Sequence, residues 1–83
     1  MKQKDYCQRV VLTEIRVDGA QAFYDLDTHE RIWLSNDQAI PGVQVGNHGT
    51  LIKTGGKWIM ITKGSYEPEY VDKFNKQLKF RGV

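Results

Sequence analysis

The chain of 83 residues has room for one small domain, because domains typically run to about 100–150 residues. Its 40% hydrophobic, 11% aromatic and 27% charged residues exclude a disordered, collagen-like or low-complexity chain. The formal net charge of +2, from 12 basic and 10 acidic residues, is far below that of a dedicated nucleic-acid binder.

The N-terminal segment, residues 1–7, is predicted to be flexible. No signal-peptide block follows it, and no apolar run approaches the ~18 residues of a membrane span. We therefore expect a soluble, cytoplasmic domain without membrane contact. The single cysteine, Cys7, excludes an intrachain disulfide, and at a frayed terminus we expect its thiol to have no function.

Alternating residues predict a three-stranded meander over 8–35. Asp18-Gly19 is a strong signal for a two-residue hairpin turn. A three-residue loop, Asp27-Thr28-His29, best matches the next two strands, with His29 in left-handed backbone. A two-residue loop would oppose Asp27 to Glu30, and a four-residue loop would oppose Asp25 to Ile32. The chosen register places Phe23 directly opposite Trp33, on one sheet face with Leu12, Glu14, Arg16, Gln21, Asp25 and Arg31.

Residues 36–49 break the alternation with Asn, Pro and Gly and are predicted to form a loop. Residues 50–62 predict a hairpin around Gly55-Gly56, in which both faces carry apolar side chains. Its predicted pairs are Ile52 with Ile59, Leu51 with Met60 and Lys53 with Trp58. A C-terminal helix is predicted over 67–80, with Pro68 near its start and apolar residues at helical spacing. We expect Phe74 and Leu78 of this helix to cover the hairpin face that holds Leu51, Trp58 and Met60.

These elements predict a mainly β fold, a small five-stranded SH3-like or partly open antiparallel barrel with one short C-terminal α-helix. An open antiparallel sheet with the helix packed on one face is the alternative. All 83 residues are assigned to a single domain.

The segment from Gly42 to Ile52, with Gly46 and Gly49 leading into Thr50-Leu51-Ile52, resembles the KOW element of SH3-like translation and transcription proteins. Asn47-His48 stands where that family often has a basic residue between its glycines. The resemblance implies a module associated with ribosomes, RNA or polymerase, with Asn47, His48 and Gly49 near a contact loop. Because the family also includes protein-binding domains, it does not choose between partners.

Signatures of catalysis are missing from the sequence. It has no phosphate-binding loop, no nucleophile elbow and no metal-ligand spacing. His29 is interpreted as a turn residue, and His48 as a candidate contact on a glycine-rich loop. We therefore expect a non-enzymatic protein without cofactor or metal.

Two classes of function remain. The first is a small regulator or adaptor, of the kind typical of phage and mobile-element modulators, that binds a protein partner; aromatic and arginine side chains amid polar residues are typical of interface hot spots. Its predicted contact residues are Phe23, Trp33, Arg16, Arg31, Asn47 and His48. The alternative is an RNA- or DNA-binding module that uses Lys53, Lys57, Lys63 and Trp58. An exposed edge strand would also permit a homodimer by strand pairing.

Overall fold

A computed structural model describes the backbone of residues 6–82 and the side chains of residues 6–78. The elements, in chain order, are β1 (Tyr6–Ile15), β2 (Gln21–Asp25), β3 (Arg31–Leu34), a 3₁₀ turn (Asn36–Gln38), β4 (Asn47–Thr54), β5 (Lys57–Ser65) and α1 (Pro68–Gly82). Residues 1–5 of the segment predicted to be flexible lie outside the described residues. Its last two residues belong to β1, which corrects that part of the prediction.

The five strands form one open antiparallel sheet in the order β3-β2-β1-β4-β5. A mainly β fold of five antiparallel strands with one C-terminal helix is thus confirmed. The first strand in the chain is the central strand of the sheet, since β1 pairs with β2 on one side and with β4 on the other. Tyr6 lies opposite Lys53 and Cys7 opposite Ile52, so the start of β1 is fixed by ladder pairing rather than frayed.

The hairpin between β1 and β2 differs from the prediction by one residue. Gly19 donates its N–H to the carbonyl of Arg16 at 2.9 Å, and Arg16 donates to the carbonyl of Ala20 at 2.8 Å. The loop therefore has three residues, with Gly19 in left-handed backbone at φ 98°. Ile15 consequently lies opposite Gln21 rather than Ala22, and a β-bulge between Leu12 and Glu14 shifts the pairing again.

The hairpin between β2 and β3 also differs by one residue. His29 donates its N–H to the carbonyl of Asp25 at 2.8 Å, which closes a loop of four residues. His29 has φ 65°, so its predicted left-handed backbone is confirmed. The shift places Phe23 opposite Ile32 and Trp33 opposite Ala22. Because paired residues share a face and neighbours alternate, Phe23 and Trp33 lie on opposite faces of the sheet.

The chain between β3 and β4 closes one end of the core. The buried side chain of Gln21 donates to the carbonyl of Ile40 and accepts from its N–H, both at 2.9 Å. The segment predicted as a loop over 36–49 contains the 3₁₀ turn and, from Asn47 onward, the start of β4. Gly49 is required there, since a Cβ at this position would lie 2.0 Å from the carbonyl oxygen of Ile61.

The pairing predicted for the hairpin between β4 and β5 is confirmed. Leu51 lies opposite Met60, Ile52 opposite Ile59 and Lys53 opposite Trp58. The hairpin is longer than predicted, since β4 begins at residue 47 and β5 ends at residue 65.

The sheet encloses its core on one face, here called the inner face. The buried cluster consists of Val10, Leu12, Phe23, Leu34, Ile40 and Leu51, against which Tyr6, Ile32, Val43, Trp58 and Met60 pack. Helix α1 lies on the opposite, outer face. There the ring of Phe74 stacks on that of Tyr24, with centroids 5.0 Å apart, and Val71 is buried.

This arrangement corrects the predicted docking of Phe74 on the face that holds Leu51, Trp58 and Met60. Those three residues contribute to the core instead. Within residues 6–82, no helix has the length and apolar character needed to span a membrane.

Candidate binding surface

Trp33 lies on the outer face of β3, at one edge of the sheet, and 39% of it is exposed. Arginine side chains approach its indole ring from two places in the chain. The guanidinium carbon of Arg16 lies 4.5 Å from the ring centroid and that of Arg31 lies 5.8 Å from it. Both distances fall in the range of a cation–π interaction. These three residues are called the Trp33 surface below.

Local structure explains this grouping. Arg31 and Trp33 are two residues apart on one strand, so their side chains project from the same face. Arg16 reaches the ring from the end of the first hairpin, where its N–H donates to the carbonyl of Ala20. The side chain opposite Trp33 in the ladder is the small one of Ala22, which leaves room for the indole. Arg31 is further positioned by α1, because its Nη2 donates to Oδ1 of Asn75 at 3.0 Å.

An open hollow of about 440 Å³ adjoins the Trp33 surface. It is lined by Arg16, Ala20, Trp33, Leu34, Ser35 and Gln38. Its volume lies in the range that binding sites for small groups occupy, roughly 300–1,000 Å³. No carboxylate belongs to this lining, while a guanidinium, a hydroxyl and an amide do. The hollow is thus suited to an apolar or aromatic group that carries negative charge or hydrogen-bond acceptors.

Phe23 does not belong to this surface. Its exposed fraction is 0%, and it packs within the inner core cluster. The one-residue shift of the hairpin between β2 and β3 is the reason, since a shift of one residue moves a side chain to the other face. The predicted Phe23/Trp33 face is therefore wrong, and Trp33 is the exposed member of the pair.

Asn47 and His48 lie apart from the Trp33 surface, at the start of β4 rather than on a loop tip. The side chain of Asn47 accepts from the N–H of Gln44 at 2.7 Å and donates to Oγ of Ser65 at 3.0 Å, which stabilises the chain around it. The ring of His48 stacks against Tyr66, with centroids 4.2 Å apart. Sequence reasoning missed Tyr66, because no local pattern connects it to His48.

The residues of the predicted nucleic-acid set are dispersed. Trp58 packs on the inner face beside Tyr6, with ring centroids 5.6 Å apart, and Lys53 lies 5.4 Å from the Trp58 ring. Lys57 follows the turn at one end of β5, whereas Lys63 lies near the other end of that strand, beside His48. The structure therefore brings Lys53 to Trp58 and leaves Lys63 at the far end of the strand.

Asp25 is a buried carboxylate with three donors around it. It accepts from the phenol of Tyr6 at 2.5 Å and from the backbone N–H groups of Asp27 and Thr28 at 2.8 and 3.0 Å. Burial raises the pKa of Tyr6 well above its usual range, and the hydrogen bond to Asp25 raises it further. These contacts join the start of β1 to the loop between β2 and β3, so their role is structural.

An exposed ion pair lies close by. Nη2 of Arg9 donates to Oδ1 of Asp27 at 2.8 Å. This hydrogen bond lowers the pKa of Asp27 and raises the pKa of Arg9. Because both groups are exposed to solvent, the pair contributes little to folding.

The remaining reactive side chains are separated from one another. Nδ1 of His29 lies 2.9 Å from the Tyr24 hydroxyl, which fixes the imidazole at its turn. Cys7 is exposed on β1. In the part of the chain that the structure describes, no three His, Cys, Asp or Glu side chains are grouped to hold a metal ion.

Comparisons with protein-family models, with curated proteins and with solved structures found no significant match. The five-stranded antiparallel sheet with its C-terminal helix is consistent with a small β-barrel-like fold. The more specific resemblance to KOW domains stays a prediction. So does a homodimer by strand pairing, for which the outer edges of β3 and β5 are the places in the described sheet.

Proposed function

We propose that the protein is a non-enzymatic regulator or adaptor that binds a protein partner through the Trp33 surface. One observation carries the proposal: a half-exposed indole on an edge strand lies within 4.5 and 5.8 Å of two guanidinium groups. Tryptophan and arginine are the residue types most enriched in interface hot spots, where they fill or cover desolvated pockets of the partner.

The charges indicate the chemistry of the partner segment. Arg16 and Arg31 both flank the ring, and no acidic residue lines the adjoining hollow. Charged groups on the two sides of an interface are arranged so that opposite charges face each other. We therefore expect the partner to present an acidic segment with an apolar or aromatic side chain for the hollow.

The arrangement favours a protein over a nucleic acid. Binding of single-stranded nucleic acid needs aromatic rings inside a continuous positive groove. Here Lys53 and Lys57 lie at one end of the hairpin, with Lys53 beside Trp58, whereas Lys63 lies near the other end of β5. The RNA- or DNA-binding alternative is therefore less favoured, because its lysines do not follow one groove.

Affinity capture with and without nuclease tests the proposal. The immobilised baits are the native protein, Trp33→Ala, the double variant Arg16→Ala/Arg31→Ala, and a control, Lys57→Ala, that removes an exposed charge elsewhere. We expect one protein to be retained after nuclease treatment by the native and control baits. Both Trp33-surface variants should lose it, because truncating a hot-spot residue costs about 2 kcal/mol or more, roughly thirtyfold in affinity.

Two outcomes would contradict the proposal. One is a captured protein that nuclease releases, which would indicate binding through a nucleic acid. The other is capture that Trp33→Ala and the double arginine variant leave unchanged while circular dichroism shows them folded. A salt titration of the purified pair separates the classes further, because contacts to many phosphates make affinity fall steeply with salt.

A further inference from the structure

A second concave site lies on the outer face, where β1, β4 and β5 meet the connection to α1. It is a cleft of about 290 Å³ lined by Arg9, Leu26, His48, Gly49, Thr50, Lys63 and Tyr66. It shares no lining residue with the hollow beside Trp33. These seven residues are called the Lys63 cleft below.

Strand pairing assembles the floor of the cleft. Arg9 on β1 lies directly opposite Thr50 on β4, so the guanidinium and the hydroxyl project from the same face. His48, two residues earlier on β4, projects from that face as well. A register shift between His48 and Gly49 lets β5 bulge at this point, and Lys63 lies within the bulge.

Glycine and tyrosine fix the imidazole at the wall of the cleft. Gly64 is opposite His48, and a Cβ there would lie 3.1 Å from His48 Nε2, so glycine allows the imidazole to pack closely on β5. The backbone N–H of Tyr66 donates to the carbonyl of Gly46 at 2.6 Å, which holds the tyrosine beside the imidazole. The wall of the cleft is thus formed by two aromatic rings in contact.

The polar groups of the cleft are predominantly donors. Arg9 and Lys63 supply two positive charges, Thr50 and Tyr66 supply hydroxyls, and no carboxylate belongs to the lining. Asp27, beside the cleft, pairs with Arg9 through one guanidinium nitrogen. Lys63 makes no ion pair with any residue that the structure describes. An ammonium group without a counter-charge, in a concavity of donors, is suited to an anion that accepts several hydrogen bonds.

We propose that the Lys63 cleft binds a phosphate group, either as free phosphate or as the phosphomonoester of a small ligand. A phosphomonoester carries close to two negative charges near neutral pH and has three strong acceptor oxygens. The ammonium of Lys63 offsets part of this charge, the guanidinium nitrogens of Arg9 that do not contact Asp27 donate hydrogen bonds, and the Thr50 hydroxyl donates to an oxygen. The volume lies near the lower limit for ligand sites, which fits a phosphate with a small attached group rather than a polymer.

Titration followed by amide NMR spectroscopy tests this site. Inorganic phosphate and adenosine monophosphate are added separately to the native protein, with sodium chloride at matched ionic strength as the reference. We expect phosphate, and not chloride, to shift the amide signals of His48, Thr50 and Lys63. A stronger response to the nucleotide identifies a phosphomonoester as the preferred source, and an equal response identifies phosphate alone.

Three single variants locate the binding. Lys63→Ala is expected to weaken phosphate binding about tenfold, the effect of one charge-assisted hydrogen bond. Its matched control, Lys57→Ala, removes a lysine from the same strand outside the cleft and should leave the affinity unchanged. Trp33→Ala should also bind phosphate normally, which keeps this result separate from the proposed protein-binding function.

The inference is overturned if chloride produces the same shifts as phosphate. It is equally overturned if Lys63→Ala and Lys57→Ala weaken the binding to the same extent, since that would indicate general charge attraction. Signals that shift at the Trp33 surface instead of the cleft would place the anion on Arg16 and Arg31 and would also contradict it.

Discussion

Truncation of Phe23 and Trp33, one at a time, measures which of the two aromatic residues belongs to the core. Although they lie on neighbouring strands, Phe23 is fully buried and Trp33 is 39% exposed. Phe23→Ala should cost about 3–5 kcal/mol of unfolding free energy, the usual range for an aromatic residue truncated in a core. A domain of 83 residues has roughly 4–12 kcal/mol in total, so this variant loses a large part of its stability.

Trp33→Ala should cost less. The substitution removes the contacts of the ring with Arg16 and Arg31, each of which is worth about 0.5–1 kcal/mol at an exposed site. It also removes the partial burial of the ring, so we expect a total cost of about 2–3 kcal/mol. Val17→Ala is the control, because Val17 is fully exposed at the hairpin loop and its truncation should change stability by less than about 0.5 kcal/mol.

Urea unfolding followed by far-ultraviolet circular dichroism is the suitable assay, because this signal does not depend on tryptophan fluorescence. If Phe23→Ala does not fold, Phe23→Leu replaces it, with an expected cost of about 1.5 kcal/mol. Equal costs for the two alanine variants, or a larger cost for Trp33→Ala, would refute the register that separates these residues onto two faces.

Three further substitutions test the framework around the binding surfaces. Gly49→Ala should cost about 3 kcal/mol or more in urea unfolding, because its Cβ would overlap the backbone of β5 and force the strands apart. Gln21→Leu should cost about 2 kcal/mol, since the N–H and carbonyl of Ile40 would lose their partner; an unchanged unfolding midpoint would show that this contact is dispensable. Tyr6→Phe should destabilise the protein by about 1.5–3 kcal/mol at neutral pH by removing the hydrogen bond to Asp25. The pKa of Tyr6 is raised on folding, so its contribution is complete below about pH 10 and is lost as the pH rises further; a difference between native protein and variant that does not shrink above pH 10 would contradict this.

The parts of the fold that were predictable are those with a single solution in the local sequence. Gly55-Gly56 permits one tight turn between two apolar strands, and the predicted pairing of that hairpin is the observed one. The dipeptide Asp18-Gly19, in contrast, is compatible with two different turns. A two-residue turn and a three-residue loop with glycine in left-handed backbone both accommodate it, and they differ by one residue in register. The β-bulge after Leu12 has no local signature, so the pattern of alternation could not reveal it.

The candidate site was likewise predictable only where it depends on local sequence and not on cross-strand register. Arg31 and Trp33 share a face because they are two residues apart on one strand, which holds whatever the register is. Phe23 was joined to Trp33 only through cross-strand pairing, and a shift of one residue separated them. The contacts of Arg31 with Asn75 and of His48 with Tyr66 connect distant segments. Such contacts depend on where the helix docks, which periodicity does not specify.

The central position of β1 has a consequence for how the protein folds. Its pairing with β2 is local, but its other neighbour, β4, comes only after β2, β3 and a long connection, as the pairs Tyr6 with Lys53 and Val11 with His48 show. The chain loses conformational entropy when it closes this long loop, and the contacts between β1 and β4 offset that loss only afterwards. Folding is slower for this reason. Before β4 pairs with β1, a meander of β1, β2 and β3 has unpaired backbone N–H and C=O groups along one edge of β1, next to apolar side chains. A nascent or partly unfolded chain therefore exposes at β1 the edge most prone to aggregation.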